Sequence, residues 1–544
     1  MKLSQKSLEN TKEWEEAGFH LPKYNREAVI AVTKKSPEWL HLGAGNIFRA
    51  FIANLQEKLL NEDRTDKGIV VAEGFDYEIV SQIYRPKENL CVLVTLKSDG
   101  NIDKTVIGSV AESLLMDAGQ KEDWKRLEEI FQSPSLKMVS FTITEKGYNL
   151  KAADGSYFSD VTEDFEKGPS CPKSYIGKLT ALVYSRYKAG RNPLALVSMD
   201  NCSQNGAKLY EAVHTFAEAW VKNRLVGRDF LEYVENPEQV SFPWTMIDKI
   251  TPRPDDSVKE MLRECGFEDV EAQITSKNTY AAPFVNAEEA QYLVIEDCFP
   301  NGKLPLDKAG VIFTSRETVE RMEKMKVCTC LNPLHTSLAV FGCLLGYTLI
   351  SEEMKNPVLK TLVQRIGYQE GLPVVVDPKI VDPKAFLDEV IEKRIPNPFM
   401  PDTPQRIATD TSQKLGIRFG ETIKAYKNRE GMDVSDLKLI PLVLAGWCRY
   451  LMGIDDRGDR FSPSPDPLLE EAGQCVSNIS LGDTGDFHQN LKPLLSNAAI
   501  FGVDLYEVGL GERVEKYFAE LVAGPGAVKA TLEKYCKPAG ADTY

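Results

Sequence analysis

The feature that most constrains the fold is a four-part run near the N-terminus. A strand signal, Trp39–Leu42, enters the glycine turn Gly43, Ala44, Gly45. An amphipathic stretch from Asn46 to about Leu60 follows, then a second strand signal, Gly68–Glu73. Strand, glycine turn, helix and strand in this order open a dinucleotide-binding unit. Gly43 and Gly45 permit the tight turn and the close approach of a pyrophosphate to the helix N-terminus. The third glycine of the fingerprint would fall at Phe48, so the pattern is incomplete, and an ordinary strand–helix turn is the competing reading. Glu73 ends the second strand, where a carboxylate meets the adenosine ribose, and Asp76 and Glu78 follow with no arginine beside them. A 2′-phosphate would be repelled there, which favours NAD over NADP; the alternative is a solvated acidic loop.

Further apolar strands are expected at Leu90–Leu96, Leu136–Thr144 and Leu194–Met199, with helical patterns at Trp124–Phe131 and Tyr175–Lys188. That alternation predicts a largely parallel, helix-covered sheet in an α/β fold. Residues 1–35 are polar and helical at best, a lead-in wrapped on the surface. The region Phe242–Asp297 is mixed, with a strand-like Gln291–Asp297. After Pro305 helical patterns dominate: Ser315–Thr329, Pro333–Ile350, Lys355–Gly367, Pro383–Lys393, Ser412–Asn428, Leu437–Met452, Arg513–Val522 and Ala527–Tyr535. A domain boundary is placed near residue 305, giving 1–305 and a mostly α-helical 306–544.

At 544 residues the chain exceeds one ordinary core. A net charge of −15 without any basic run argues against a nucleic-acid surface. The N-terminus lacks an apolar signal region, and Leu338–Ile350, the longest apolar run, falls short of a spanning helix, so no membrane association and a cytoplasmic location are expected. Eleven scattered cysteines read as reduced thiols. Cys328 and Cys330 form a C-x-C without the ligands that would complete a zinc set.

The chemistry concentrates in Lys326–His335. Lys326, Asn332 and His335 supply a titratable amine, a dipolar carboxamide and an imidazole, the parts needed to move an alcohol proton while a hydride leaves. Asn332 before Pro333 reads as an N-cap, and the residue before proline avoids helical angles, so a break between Lys326 and His335 is expected. In an unbroken helix the six residues from Lys326 to Asn332 would turn about 240°, so only an irregular backbone brings these groups together. A core histidine beside a surface lysine is the plainer alternative. Asn201, after Asp200 at the end of an apolar strand, points into a ligand crevice or merely shapes a turn. Asp248 could orient a histidine, bind a substrate hydroxyl or pair with Lys249. Arg406 and Lys414 could hold a carboxylate or sugar hydroxyls, or line a solvated face.

Six motifs occur in order: Gly43–Arg49, Thr142–Tyr148, Asp200 and Asn201 with Asn205 and Gly206, Phe242 and Pro243 with Met246–Asp248, Val294–Asp297, and Leu331 and Asn332 with His335. This series resembles the mannitol dehydrogenase family, the polyol-specific long-chain dehydrogenases. The resemblance covers residues 37–450 and implies an N-terminal Rossmann-type domain, a mostly helical C-terminal domain and zinc-independent, NAD-dependent oxidation of a secondary alcohol. It assigns Lys326 as general acid/base, Asn201 and Asn332 as the oxyanion-stabilising pair, and His335 as a substrate contact. Asp248, Arg406 and Lys414 become substrate-binding residues, and Gly43, Gly45, Asn46, Phe48, Arg49, Glu73 and Asp76 cofactor-binding ones. No metal is implied. The family's lysine lies five residues before the asparagine; here the spacing is six, with Val327 at the expected place and Lys324 as a second candidate. A one-residue bulge would absorb the difference. The expected reaction is interconversion of D-fructuronate and D-mannonate, as in the family's fructuronate reductases (mannonate oxidoreductases), because the cations suit a carboxylate. Mannitol–fructose and tagaturonate–altronate are alternatives within the family; a non-catalytic NAD-binding sensor and a sugar-binding protein without cofactor lie outside it.

Overall fold

A computed structural model of the chain describes residues 1–254 and 256–536, so the end of the expected second domain, 537–544, lies outside the described residues. The chain forms two compact units, Met1–Lys97 with Asn101–Glu320, and Arg321–Tyr544 with Ser98–Gly100.

The first unit is built on a six-stranded sheet. In chain order its strands are β1 (Trp39–Leu42), β2 (Ile69–Glu73), β3 (Val110–Leu115), β4 (Met138–Phe141), β5 (Leu194–Ser198) and β6 (Val240–Ser241). They lie side by side as β3-β2-β1-β4-β5-β6, with every pair parallel. The order reverses between β1 and β4, which opens a ligand crevice beyond their carboxyl ends. Burial on both faces of the sheet explains why the strands are mostly apolar. Leu40, Leu42, Val70 and Ala72 join a core with Leu127, Leu179 and Phe216 from helices on one face. Trp39, Ile69 and Val71 join a second core with Phe51, Leu55 and Leu59 on the other.

Two expectations for this unit differ from the structure. Cys91–Leu96 is not in the parallel sheet; it forms an antiparallel hairpin with Ile102–Ile107, in a separate sheet with Phe19–His20 and Phe284–Glu288. The short polar link Lys97–Asn101 allows a hairpin but not a parallel crossover. Residues 1–35 are more than a surface lead-in. Trp14 and Phe19 are buried and pack on Phe267, and Phe19–His20 pairs with Lys104 and Thr105. Segment 306–320 stays with this unit, where Ile312–Thr314 runs parallel to Tyr292–Glu296, which pairs with Thr245–Asp248.

The second unit is helical. Helix Asn332–Leu345 is buried along most of its length and ends at Gly346 with φ +78°. The other central helix, Leu439–Tyr450, is buried throughout, and its N-terminus is held by Glu370, whose carboxylate accepts from the amides of Lys438, Leu439 and Ile440 at 2.7–2.8 Å. An anion from a distant segment there answers the helix dipole and three unpaired donors. Segments read as single helices end in π turns at Lys326–Cys330, Ile366–Gly371 and Val390–Arg394, and the one read over Ser412–Asn428 contains a π turn at Gly416–Gly420. The helical run Arg316–Leu345 is long and apolar enough to be a candidate membrane span, but 78% of its most apolar window is buried, as in a core helix.

Candidate active site

In the first unit the glycine turn divides into two roles. Gly43 has φ +105°, and a Cβ there would stand 2.3 Å from the Thr142 carbonyl oxygen at the end of β4. The adjoining strand therefore requires this glycine. A Cβ on Gly45 would meet nothing within 4 Å, so the protein's own packing does not require it. What its absent side chain leaves is open space at the start of helix 46–61, whose first-turn amides lack partners one turn back. That cradle fits a pyrophosphate.

The side chains around the turn are mostly structural. Phe48 is buried and stacks on His41, ring centroids 4.6 Å apart. His41 lies between Ser140 and Thr142, at 2.6 and 2.8 Å from their hydroxyls, and burial pushes it down to about 3. Arg49 is buried too and donates to the Ala282 carbonyl at 2.5 Å and to Asn46 Oδ1 at 2.7 Å. Both oxygens of Glu73 accept from backbone amides. Its Oε2 accepts from the Ala44 amide at 2.8 Å, and its Oε1 from the amides of Phe75 and Asp76 at 2.8 and 3.2 Å. It braces the glycine turn. Asp76 accepts from the Thr275 hydroxyl at 2.6 Å, while its Oδ1 is buried without a partner, an acceptor still open to a hydroxyl. The sequence reading missed Lys178, whose amine donates to the Tyr77 hydroxyl at 2.8 Å beside this loop.

At the end of β5, Asp200 accepts from the amides of Ile143 and Thr144 at 3.0 and 2.8 Å and from the Tyr148 hydroxyl at 2.5 Å. Burial raises its pKa. These bonds hold Thr144 at φ +65°, ψ 159°, a conformation that costs a β-branched residue about 1–3 kcal/mol. They also fix the turn that carries the exposed Asn201. Asn205 locks the same turn to Thr245: its amide nitrogen donates to the Asp200 and Thr245 carbonyls, each at 3.0 Å. Asp248 is buried at the end of Thr245–Asp248, while the Lys249 amine donates to the Glu288 carbonyl and Gln291.

In the second unit the expected break is present. Helix Arg316–Met325 widens into the π turn Lys326–Cys330, closed by a bond from the Leu331 amide to the Lys326 carbonyl at 3.1 Å. Such a turn takes up one extra residue, which accounts physically for a six-residue spacing from Lys326 to Asn332. The N-cap position belongs to Leu331, with φ −126° and ψ −62°, not to Asn332. Being one residue further in, Asn332 leaves its carboxamide without a hydrogen bond among the described residues. Lys326 is buried, 3% exposed, whereas Lys324 is exposed.

His335 keeps some accessible surface, yet the protein packed around it pushes its pKa down to about 4. Burial is the main cause; Asp402 opposes it, and Arg394, Arg418 and Arg406 reinforce it. His335 is therefore neutral at ordinary pH. Of the two expected cations, Arg406 is paired with Asp402 and its side chain is 62% exposed. Lys414 donates to the Thr409 carbonyl. Arg394, Arg418 and Asp402 escaped the sequence reading because they lie 59 to 83 residues along the chain from His335.

The Mannitol dehydrogenase Rossmann domain model matches residues 37–308, and the Mannitol dehydrogenase C-terminal domain model matches 318–522. The D-mannonate oxidoreductase of Thermotoga maritima is 53% identical over 536 residues, 98% of this chain and 99% of that protein. Among solved structures, D-sorbitol dehydrogenase in substrate-free form is 25% identical with a TM-score of 0.78, over 95% of this chain and 98% of that one. A Pseudomonas fluorescens mannitol 2-dehydrogenase, in ternary complex with NAD and D-mannitol, is 24% identical with a TM-score of 0.69 over 99% and 100% and supports the fold. The chain belongs to the mannitol dehydrogenase family.

Proposed function

We propose that this chain is a zinc-independent, NAD-dependent oxidoreductase that interconverts D-mannonate and D-fructuronate in the cytoplasm. The observation that carries the reading is the full-length 53% identity to a D-mannonate oxidoreductase. A buried Lys326, with an uncommitted carboxamide at Asn332 and a neutral imidazole at His335 within ten residues of it along the chain, supports it. The Gly45 cradle and the orphaned Asp76 oxygen suit the pyrophosphate and a ribose hydroxyl of NAD. Bound NAD supplies the acceptor for the hydride lost by the carbinol carbon.

In oxidation, Lys326 takes the proton of the reacting hydroxyl and the C–O bond becomes a carbonyl; in reduction it returns that proton. Asn332 and Asn201 donate to the oxygen while it carries negative charge. His335, uncharged, hydrogen-bonds a substrate hydroxyl without adding a cation near the amine. Asp248 accepts from a further hydroxyl, and Arg406 and Lys414 flank the substrate.

Purified protein should change the absorbance of reduced nicotinamide with D-fructuronate or D-mannonate, and Lys326→Ala should nearly abolish that change. NAD binding without turnover on any hexonate or hexitol would replace this reading by a sensor. A hexitol substrate is the second reading, favoured by the 25% identical sorbitol dehydrogenase.

A further inference from the structure

The cations expected from sequence to meet substrate both have internal partners: Arg406 has Asp402, and Lys414 has the Thr409 carbonyl. Arg418 differs. No carboxylate answers it among the described residues; its partner is the Thr336 hydroxyl, 2.5 Å from Nη1. Thr336 in turn donates to the Asn332 carbonyl at 3.0 Å, so the guanidinium is tied to the helical turn that presents Asn332 and His335. Arg418 is also among the charges that act on His335.

The backbone bearing Arg418 is fixed. It lies in the π turn Gly416–Gly420, pressed against the turn at 500–502. A Cβ on Gly420 would stand 2.2 Å from the Phe501 carbonyl oxygen, and one on Gly416 3.1 Å from the Gly502 amide nitrogen. The two glycines let the turn pack closely and limit how far Arg418 can swing. Burial without a counter-charge lowers its pKa to about 10, so the guanidinium sits where an anion would relieve it.

We infer that Arg418 is a specificity-determining residue that binds the carboxylate of an acidic sugar substrate, distinguishing hexonates and hexuronates from uncharged hexitols and ketoses. This rests on the proposed oxidoreductase activity and names the group within it that selects charge. A planar guanidinium held at one nitrogen keeps further N–H groups for a two-point contact with a carboxylate, which a polyol hydroxyl cannot match.

The test compares wild type, Arg418→Gln and Arg418→Lys in kcat/KM for D-mannonate and for D-mannitol, using the inhibition constant of D-mannitol against D-mannonate if its turnover is too slow. The ratio of the two substrates does not depend on how much of a variant is folded. Arg418→Gln should lower the mannonate value about 10–100-fold, as expected for a lost charge-assisted pair, and change the mannitol value less than about threefold. Arg418→Lys should recover part of the ratio. If wild type uses D-mannonate but Arg418→Gln leaves the ratio unchanged, the assignment of Arg418 is overturned while the activity stands. If wild type uses hexitols and no hexonate or hexuronate, the substrate reading falls and this inference with it.

Discussion

Substituting the two glycines of the nucleotide turn one at a time separates what the fold needs from what a cofactor needs. Gly43→Ala forces a side chain into φ +105° and places its Cβ 2.3 Å from the Thr142 carbonyl oxygen. The left-handed conformation costs about 1–2 kcal/mol. Relieving the overlap means parting the ends of β1 and β4, an overpacking cost of about 1–3 kcal/mol. Together these give about 2–5 kcal/mol, which should lower the unfolding midpoint by several degrees. Gly45→Ala meets nothing within 4 Å and carries no positive φ, so its midpoint should stay within about 1 °C of wild type. Its methyl group would instead occupy the open space at the helix start, and NADH affinity should fall at least about tenfold, in line with the loss of close backbone approach. Thermal unfolding without cofactor and fluorescence titration with NADH read the two effects independently. The reasoning is refuted if Gly45→Ala unfolds as early as Gly43→Ala, or if it binds NADH as wild type does.

Other expectations follow from the same geometry. Lys326→Ala should lower kcat about 100- to 10,000-fold, the range of general acid–base catalysis, while Lys324→Ala stays within about twofold; equal losses would remove the distinction drawn from burial. Asp200→Asn replaces a carboxylate that accepts from two amides and a phenol, and should cost about 1.5–3 kcal/mol in urea unfolding; an unchanged midpoint would mean the Thr144 turn holds itself. The His335 imidazole has its folded pKa pushed down to about 4 from 6.5, so the unfolded chain binds this proton first. Its contribution to stability is whole above pH 6.5 and is lost as pH falls towards 4. His335→Asn should flatten that part of the melting curve against pH, and an equally steep acid limb would show that other groups cause it.

What the chain order could reveal was whatever a local pattern encodes. The strand–glycine–helix–strand run specified the nucleotide-binding half because each part is read from neighbours in sequence, and the 3.6-residue patterns after residue 305 marked the second half as helical. Lys326, Asn332 and His335 were legible because they lie within ten residues of one another, and the proline after Asn332 signalled a break. What the structure adds is the difference in burial between Lys326 and Lys324 and a π turn at Lys326–Cys330, whose wider bonding pattern depends on packing that no local motif announces. Glu73 illustrates the same limit: its position at a strand end was readable, but only the folded turn shows both its oxygens drawn inward by three backbone amides. The charges around His335 were invisible for a plainer reason. Arg394, Asp402 and Arg418 reach it through chain folding over tens of residues, and electrostatic neighbourhood is set by distance in space, not by separation along the chain.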